Sequence, residues 1–421
     1  MSRRPVMGAL WCRVVIVCLG LLAGVAFGEG VPPAPTGTFS VVAFPDTQAY
    51  SARQPAVFHA ETQWVVDHLR AQRIVFVCHL GDIVDENIPK QWTVAKQAMA
   101  RLDKKVPYGL VVGNHDMKTA TGDASLFSST FPAKRFAGCA WYRGQIKDNA
   151  NSYQTFEAEG LKFVVLHLEC NAPDDVLAWA DSVLKRYADR RAIVATHMFL
   201  GPLERPKTKE GWYTDPKGVM RWHKCHGQAG NSPAQLWAKC FSKHKNVFLI
   251  LCGDQSRTQA MHLALKGEDG HTVHACLSDY REGYLRVYRF IPKANQIRVM
   301  TYSPTKNALC EATSIVKDVS KHQFTLHYDM TPPRRAARLR GQRAQTTRVA
   351  LAALPASRTG HPGWVDCRNR GPDNNQAPTP SPSITTAPTG RHDPVGLVGP
   401  VEPPSVFGSA ALADVIVTVN R

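Results

Sequence analysis

The stretch "RIVFVCHLGDIVD", residues 73–85, sets the problem that the fold must solve. Its apolar run shows no alternation of period two, so it reads as a strand at 73–80 buried on both faces. It then ends in Gly81-Asp82, with Asp85 three residues on. The same device recurs along the chain. "FSVVAFPDTQ" (39–48) ends on Asp46 and Gln48, "YGLVVGNHD" (108–116) on Asn114 and His115, "AIVATHMF" (192–199) on His197, and "NVFLILCGDQSRT" (246–258) on Asp254. Five apolar runs each deliver an acid, amide or imidazole at the tip.

Between these runs lie helical patterns. "QPAVFHAETQWVVDHLRAQ" (54–72) reads as an amphipathic helix with Val57, Trp64, Val65 and Leu69 on one face, and "QWTVAKQAMARLDKK" (91–105) as a second helix. Residues 151–169 read as a hairpin turning at Glu159-Gly160. A helix through 172–189 carries early acids and late bases, and Ser232-Pro233 opens another. After Asp254, "HTVHACLSDY", "GYLRVYRFIP" and "QIRVMTYSP" read as successive strands. Strand–helix alternation followed by consecutive strands indicates an α/β fold in which parallel strands meet an antiparallel portion.

In open α/β sheets, sites form beyond the carboxyl ends of strands. Carboxylates gathered there are costly to bury unpaired, and divalent cations relieve that cost. At this point "DTQ" (46–48), "GDIVD" (81–85), "GNHD" (113–116), "TH" (196–197) and the Gly253 region resemble the five blocks of the calcineurin-like metallophosphoesterase family, over about residues 40–304. The resemblance implies a four-layer α/β/β/α sandwich of two mixed β-sheets. It also implies two divalent metal ions, and hydrolysis of a phosphate mono- or diester by metal-activated water. On it, Asp82 bridges the metals, Asp46 with Gln48 binds the first, and Asn114 with His197 binds the second. His115 becomes the general acid, with Asp85 orienting its ring. For Asp85 a helix cap competes with that role, and for Gln48 a turn.

The family's last block is usually Gly-His-x-His; here it is Gly253-Asp254-Gln255-Ser256. Asp254 remains a candidate ligand of the second metal, the alternative being a cap on the following loop, while Ser256 is a poor replacement for imidazole. Such an oxygen-rich set favours Mn²⁺ or Mg²⁺, or Ca²⁺, over Zn²⁺, with one site weaker than the other. Arg257 is a candidate clamp for substrate phosphate or an ordinary surface arginine. The long segment 200–231 starts beside His197 and is expected to wall the substrate site, with Trp212, Tyr213 and Trp222 as stacking candidates. His223, Cys225 and His226 within it read as an ordinary loop rather than ligands.

The ends of the 421-residue chain read differently from its middle. Residues 1–28 have the arginines and short apolar run of a signal peptide, so a secreted or periplasmic location is expected; an uncleaved anchor is the alternative. Residues 29–37 form a linker and 38–330 the catalytic domain. Residues 331–421 lack Lys and are rich in Arg and Pro, a low-complexity tail expected to be disordered unless translated out of the ancestral frame. Eleven of its residues are Arg, so much of the net charge of +17 lies outside the core. No aromatic residues interleave a basic stripe, so no stable nucleic-acid partner is expected, although a nuclease remains a third function. No segment after the signal is apolar for long enough to span a bilayer. Of 11 Cys, nine follow the signal; that odd number leaves one thiol free or paired between chains. Cys78 and Cys252 are read as small buried hydrophobes. A catalytically impaired metal-binding scaffold is the second function, against which stands the presence of His115 and Asp85.

Overall fold

A computed structural model of the chain describes residues 30–201 and 224–331. The apolar runs form strands that divide between two mixed sheets. The first joins β1 (Phe39–Phe44), β2 (Ile74–His79), β3 (Tyr108–Leu110), β11 (Leu285–Ile291), β12 (Gln296–Ser303), β13 (Ala308–Leu309) and β14 (Gln323–His327). Its path is β13-β12-β11-β1-β2-β3, with β14 also on β12. The second runs β4-β5-β6-β7-β8-β10-β9, from β4 (Tyr142–Ile146), β5 (Asn151–Ala158) and β6 (Leu161–Leu168) through β7 (Arg191–Thr196) and β8 (Val247–Cys252) to β10 (Thr272–Ser278) and β9 (Ala260–Lys266). β1, β2 and β3 are parallel in one sheet, as are β6, β7, β8 and β10 in the other.

Alternation of side chains across each strand produces three apolar layers. Val41, Ala43, Phe76 and Cys78 meet Phe163, Ile193, Leu251 and Phe248 between the sheets. Val42, Phe44 and Val77 face outward against helices α1 (Gln48–Arg53), α2 (Pro55–His68), α3 (Pro89–Met99) and α4 (Ser125–Thr130). Val194, Ile250 and Cys252 face α5 (Asp174–Arg186) and α6 (Pro233–Lys239). The central strands of each sheet are buried on both faces, which explains why the sequence runs are apolar without a period of two. The architecture is the four-layer sandwich. The thiols of Cys78 and Cys252 are buried, and burial pushes both well above their ordinary pKa.

Local signals read from sequence have physical counterparts here. Glu159 and Gly160 both adopt positive φ, +47° and +77°, the turn that matches hairpin twist. Ser232 and Gln235 form a reciprocal capping box at the start of α6. α5 begins with Asp174 and Asp175 and ends with Lys185 and Arg186. Four strands, β4, β9, β13 and β14, were not expected: β4 and β9 are half-exposed edges, β13 has two residues, and β14 also lies at an edge with a mixed burial pattern. α1 was not expected either, so Gln48 starts a helix rather than sitting in a turn.

The face of α2 also differs from expectation. It buries Phe58, Trp64 and Val65, and with them Glu61 and Thr62, whereas Val57 and Leu69 are only partly covered. Neither carboxylate oxygen of Glu61 has a partner, and burial raises its pKa to about 8. A raised folded pKa contributes stability below the ordinary value of 4.5, which is lost as pH climbs through about 8. Glu61→Gln is therefore expected to flatten the fall in stability between pH 5 and 8. Urea denaturation of wild type and variant at the two pH values checks this; equal slopes would refute it.

Candidate metal centre

The carboxyl ends of β1, β2 and β3 in one sheet face those of β7 and β8 in the other, and the residues that follow each strand converge. Ligand atoms of Asp46, Asp82 and His197 all lie within 4.8 Å of one another, and all three residues are buried. His197 Nε2 is 3.1 Å from Asp82 Oδ1, 3.6 Å from Asp254 Oδ1 and 4.0 Å from Asp46 Oδ2. Its other nitrogen, Nδ1, lies 2.7 Å from the carbonyl of Leu80 and donates to it. In the neutral ring Nε2 is then a lone pair pointed at three carboxylates. Only a cation in their midst, a proton or a metal, reconciles those groups.

Backbone strain holds this convergence. Asp82 and Asp254 adopt φ of +46° and +67°, an uncommon conformation that short polar side chains tolerate best. Gly81, at φ +97°, lets His197 approach: a Cβ there would lie 2.6 Å from Nδ1. Gly253 does the same for Asp46, whose Oδ1 would stand 2.2 Å from a Cβ.

Electrostatics follow from burial and crowding. Burial raises Asp46 well above the carboxylate range, and the neighbouring Asp279 raises it further. Burial also lifts Asp254 to about 6. Burial acts the same way on Asp82, but His197 and His115 overcome it and hold the group at about 2. For His197, burial acts downward, yet Asp82 and Asp46 raise it well above the imidazole range. Asp46 Oδ1 has no hydrogen-bond partner within the protein. Acceptors this buried and this close fit divalent cations, and the donor set is mostly oxygen.

The remaining residues singled out from sequence are placed as follows. Gln48 Nε2 donates to Asp82 Oδ2 at 2.9 Å, so the amide supports that carboxylate from its nitrogen side. Asn114, oriented so that both amide atoms are satisfied, donates to Asp254 Oδ1 (2.5 Å) and accepts from Lys224 Nζ (2.9 Å) and His115 N (3.2 Å). His115 N also donates to Asp82 Oδ1 at 2.9 Å, and Nε2 lies 4.0 Å from Asp82 Oδ2. His115 Nδ1 meets the main-chain carbonyl of Asp85 at 2.6 Å. The Asp85 carboxylate does not orient that ring; it pairs with Arg53 at 2.8 Å. Nor does it cap α3, whose N-cap is Ile88. Arg257 and Ser256 line a cavity of about 700 Å³ with Lys224 and Arg281. Trp212, Tyr213, Trp222 and His223 lie outside the described residues. Cys225 is buried, and His226 stands 3.6 Å from Glu169, away from the cluster.

Three further residues take part, of which Asp116 and Asp279 escaped sequence reading. Asp116 is fully buried and accepts from Gly113 N (2.8 Å) and Val84 N (3.0 Å), tying the "GNHD" and "GDIVD" loops together; burial lifts its pKa to about 7. Its place in "GNHD" was the available signal. His79 holds Thr47 Oγ1 at 3.0 Å beneath Asp46, and burial lowers it to about 3, so it is neutral. Asp279 lines the cavity, whereas in the sequence "CLSDY" reads only as the end of a strand.

Comparison with known proteins supplies the last observation. The family model for calcineurin-like phosphoesterase matches residues 39–255, the span holding all five strand tips. The uncharacterized Bacillus subtilis protein YvnB is 29% identical over 319 residues, covering 72% of this chain and 23% of YvnB. The chain thus spans about a quarter of that relative's length. Among solved structures, the 5'-nucleotidase precursor of Thermus thermophilus superposes with a TM-score of 0.35 at 12% identity, over 75% of this chain and 60% of that one. The NAD nucleotidase of Haemophilus influenzae does so at 0.36 and 11%, over 65% and 48%. Plasmodium GAP50 gives 0.36 and 12%, over 70% and 90%. With the family model covering more than half of its length, and with two mixed sheets bringing acid and imidazole together at their carboxyl ends, this chain belongs to the calcineurin-like phosphoesterase family.

Proposed function

We propose that the chain is an exported, metal-dependent hydrolase of a phosphate mono- or diester. One observation carries this reading: Asp46, Asp82 and His197, delivered by three strands of two different sheets, bring ligand atoms within 4.8 Å of each other beside a polar cavity. Asp82, Asp46 and Gln48 would hold one cation, and Asp82, Asn114, His197 and Asp254 would hold the other. Divalent cations, when bound, polarise phosphoryl oxygens and make water a nucleophile near neutral pH. Mn²⁺ or Mg²⁺ suits these donors better than Zn²⁺.

The rest is done by this chain's own side chains. Lys224, Arg257 and Arg281 line the cavity and attract the phosphate group. As the P–O bond to the alcohol breaks, His115 Nε2 gives its proton to the departing oxygen. The Asp85 carbonyl accepts from Nδ1–H at 2.6 Å and fixes the ring, with Nε2 4.0 Å from Asp82 Oδ2. Export rests on residues 1–28, which lie outside the described residues; among those described, no helix is long and apolar enough to cross a membrane.

The test is hydrolysis of p-nitrophenyl and bis-p-nitrophenyl phosphate by purified protein, with and without Mn²⁺. Asp82→Asn is expected to lower the rate at least about 10³-fold, because a carboxylate that would be shared by the cations is lost. Absence of hydrolysis with every divalent ion would favour the scaffold reading, which the replacement of both final imidazoles by Asp254 and Ser256 motivates.

A further inference from the structure

A cation at Asp46 would find few donors among the residues described above, since Gln48 turns its amide nitrogen to Asp82 and Ser256 carries no ring nitrogen. The structure offers another from an adjacent strand. β10 lies parallel to β8, and Leu277 pairs with Cys252. Asp279 and Asp254 therefore stand two residues beyond the same rung. Asp279 is 2% exposed, its Oδ1 has no hydrogen-bond partner within the protein, and it lines the cavity shared by Gln48, Asp82 and Asp254.

Its position is held from both sides. The buried Arg286 donates from Nη1 to the carbonyl of Leu277 at 2.8 Å, and Tyr50 Oη donates to the carbonyl of Tyr280 at 2.8 Å. Asp279 N donates to the carbonyl of Gln259 at 2.9 Å. Asp46 is the other buried aspartate whose Oδ1 lacks a partner. Two buried carboxylates with free oxygens oppose each other unless a cation joins them.

We propose that Asp279 is a ligand of the divalent cation held by Asp46, supplying the donor that Ser256 does not. The assignment rests on the metal-dependent reading above. It also accounts for the oxygen-rich character of that position, since the replacement comes from a carboxylate rather than a ring nitrogen.

Full-length protein, stripped of metal by chelation, is titrated with Mn²⁺ and followed by calorimetry and electron paramagnetic resonance. Wild type is expected to take up two Mn²⁺, and Asp279→Asn to bind one of them at least about tenfold more weakly. Without metal, Asp279→Asn is expected to melt no lower than wild type, because an unpartnered buried carboxylate has gone; with Mn²⁺ its gain in Tm is smaller. A merely structural Asp279 would lower both. Asp279→His provides a second route, expected to shift the affinity ratio towards Zn²⁺. Two Mn²⁺ bound by Asp279→Asn with wild-type affinity, or an unchanged Mn²⁺/Zn²⁺ ratio in Asp279→His, would overturn the assignment while leaving the hydrolase reading intact. A wild-type chain that binds no Mn²⁺ would remove both.

Discussion

His115→Ala is expected to lower kcat on a simple alkyl phosphate about 10²–10⁴-fold, the usual contribution of a positioned general acid. On p-nitrophenyl phosphate the loss is expected to be far smaller, because nitrophenolate leaves without a proton. The contrast between the two substrates is the measurement. Equal losses on both would mean that His115 binds or positions rather than protonates. Asp85→Asn separates side chain from backbone: its carboxylate pairs with Arg53, while the carbonyl that meets His115 Nδ1 survives the substitution. Its effect on kcat is expected to stay within about threefold, the scale of one screened surface ion pair.

The second large effect concerns pH and metal together. Asp254 and Asp279 have folded pKa values of about 6 and about 7 against an ordinary 3.8, both raised first by burial. Raised values make the folded state the better proton binder, so their contribution is present below pH 4 and lost as pH rises through 6 and 7. His197, also raised, acts in the same direction above its ordinary 6.5. Asp82 is lowered to about 2, so its contribution is lost only in strong acid, outside this window. Each unit of difference is about 1.4 kcal/mol, and the coupled groups titrate together rather than additively. Metal-free protein is therefore expected to lose about 5 °C or more in Tm between pH 5 and 8. Mn²⁺ competes with protons for the same oxygens, so the gain in Tm on adding it should grow over that range. Differential scanning calorimetry with and without Mn²⁺ gives both curves. A metal-free Tm that is level across the range would contradict the crowding of unneutralised carboxylates.

Much of the architecture was legible because burial on two faces leaves a plain mark. The runs ending at Asp46, Asp82, Asn114, His197 and Asp254 are apolar on both sides, and each became a strand whose tip approaches a common region. The edge strands β4, β9 and β14 were missed for the complementary reason: half-exposed strands are mixed in composition and resemble loops. α1 was missed because its six residues, Gln48–Arg53, are too few for a helical period to show. Glu61 ran against the pattern outright, a carboxylate on the buried face of α2 where polarity indicated solvent.

By itself, the order of residues determined which groups end each strand, since side-chain chemistry at a strand tip needs no partner to be read. Which groups face one another was decided only by the tertiary structure. Asp85 turned its carboxylate to Arg53 and left His115 to a carbonyl, a choice between side chain and backbone that spacing does not encode. Asp279 entered the cavity because β10 pairs with β8 in parallel, and sheet pairing between segments distant in the chain is set by packing of the whole core rather than by any local signal.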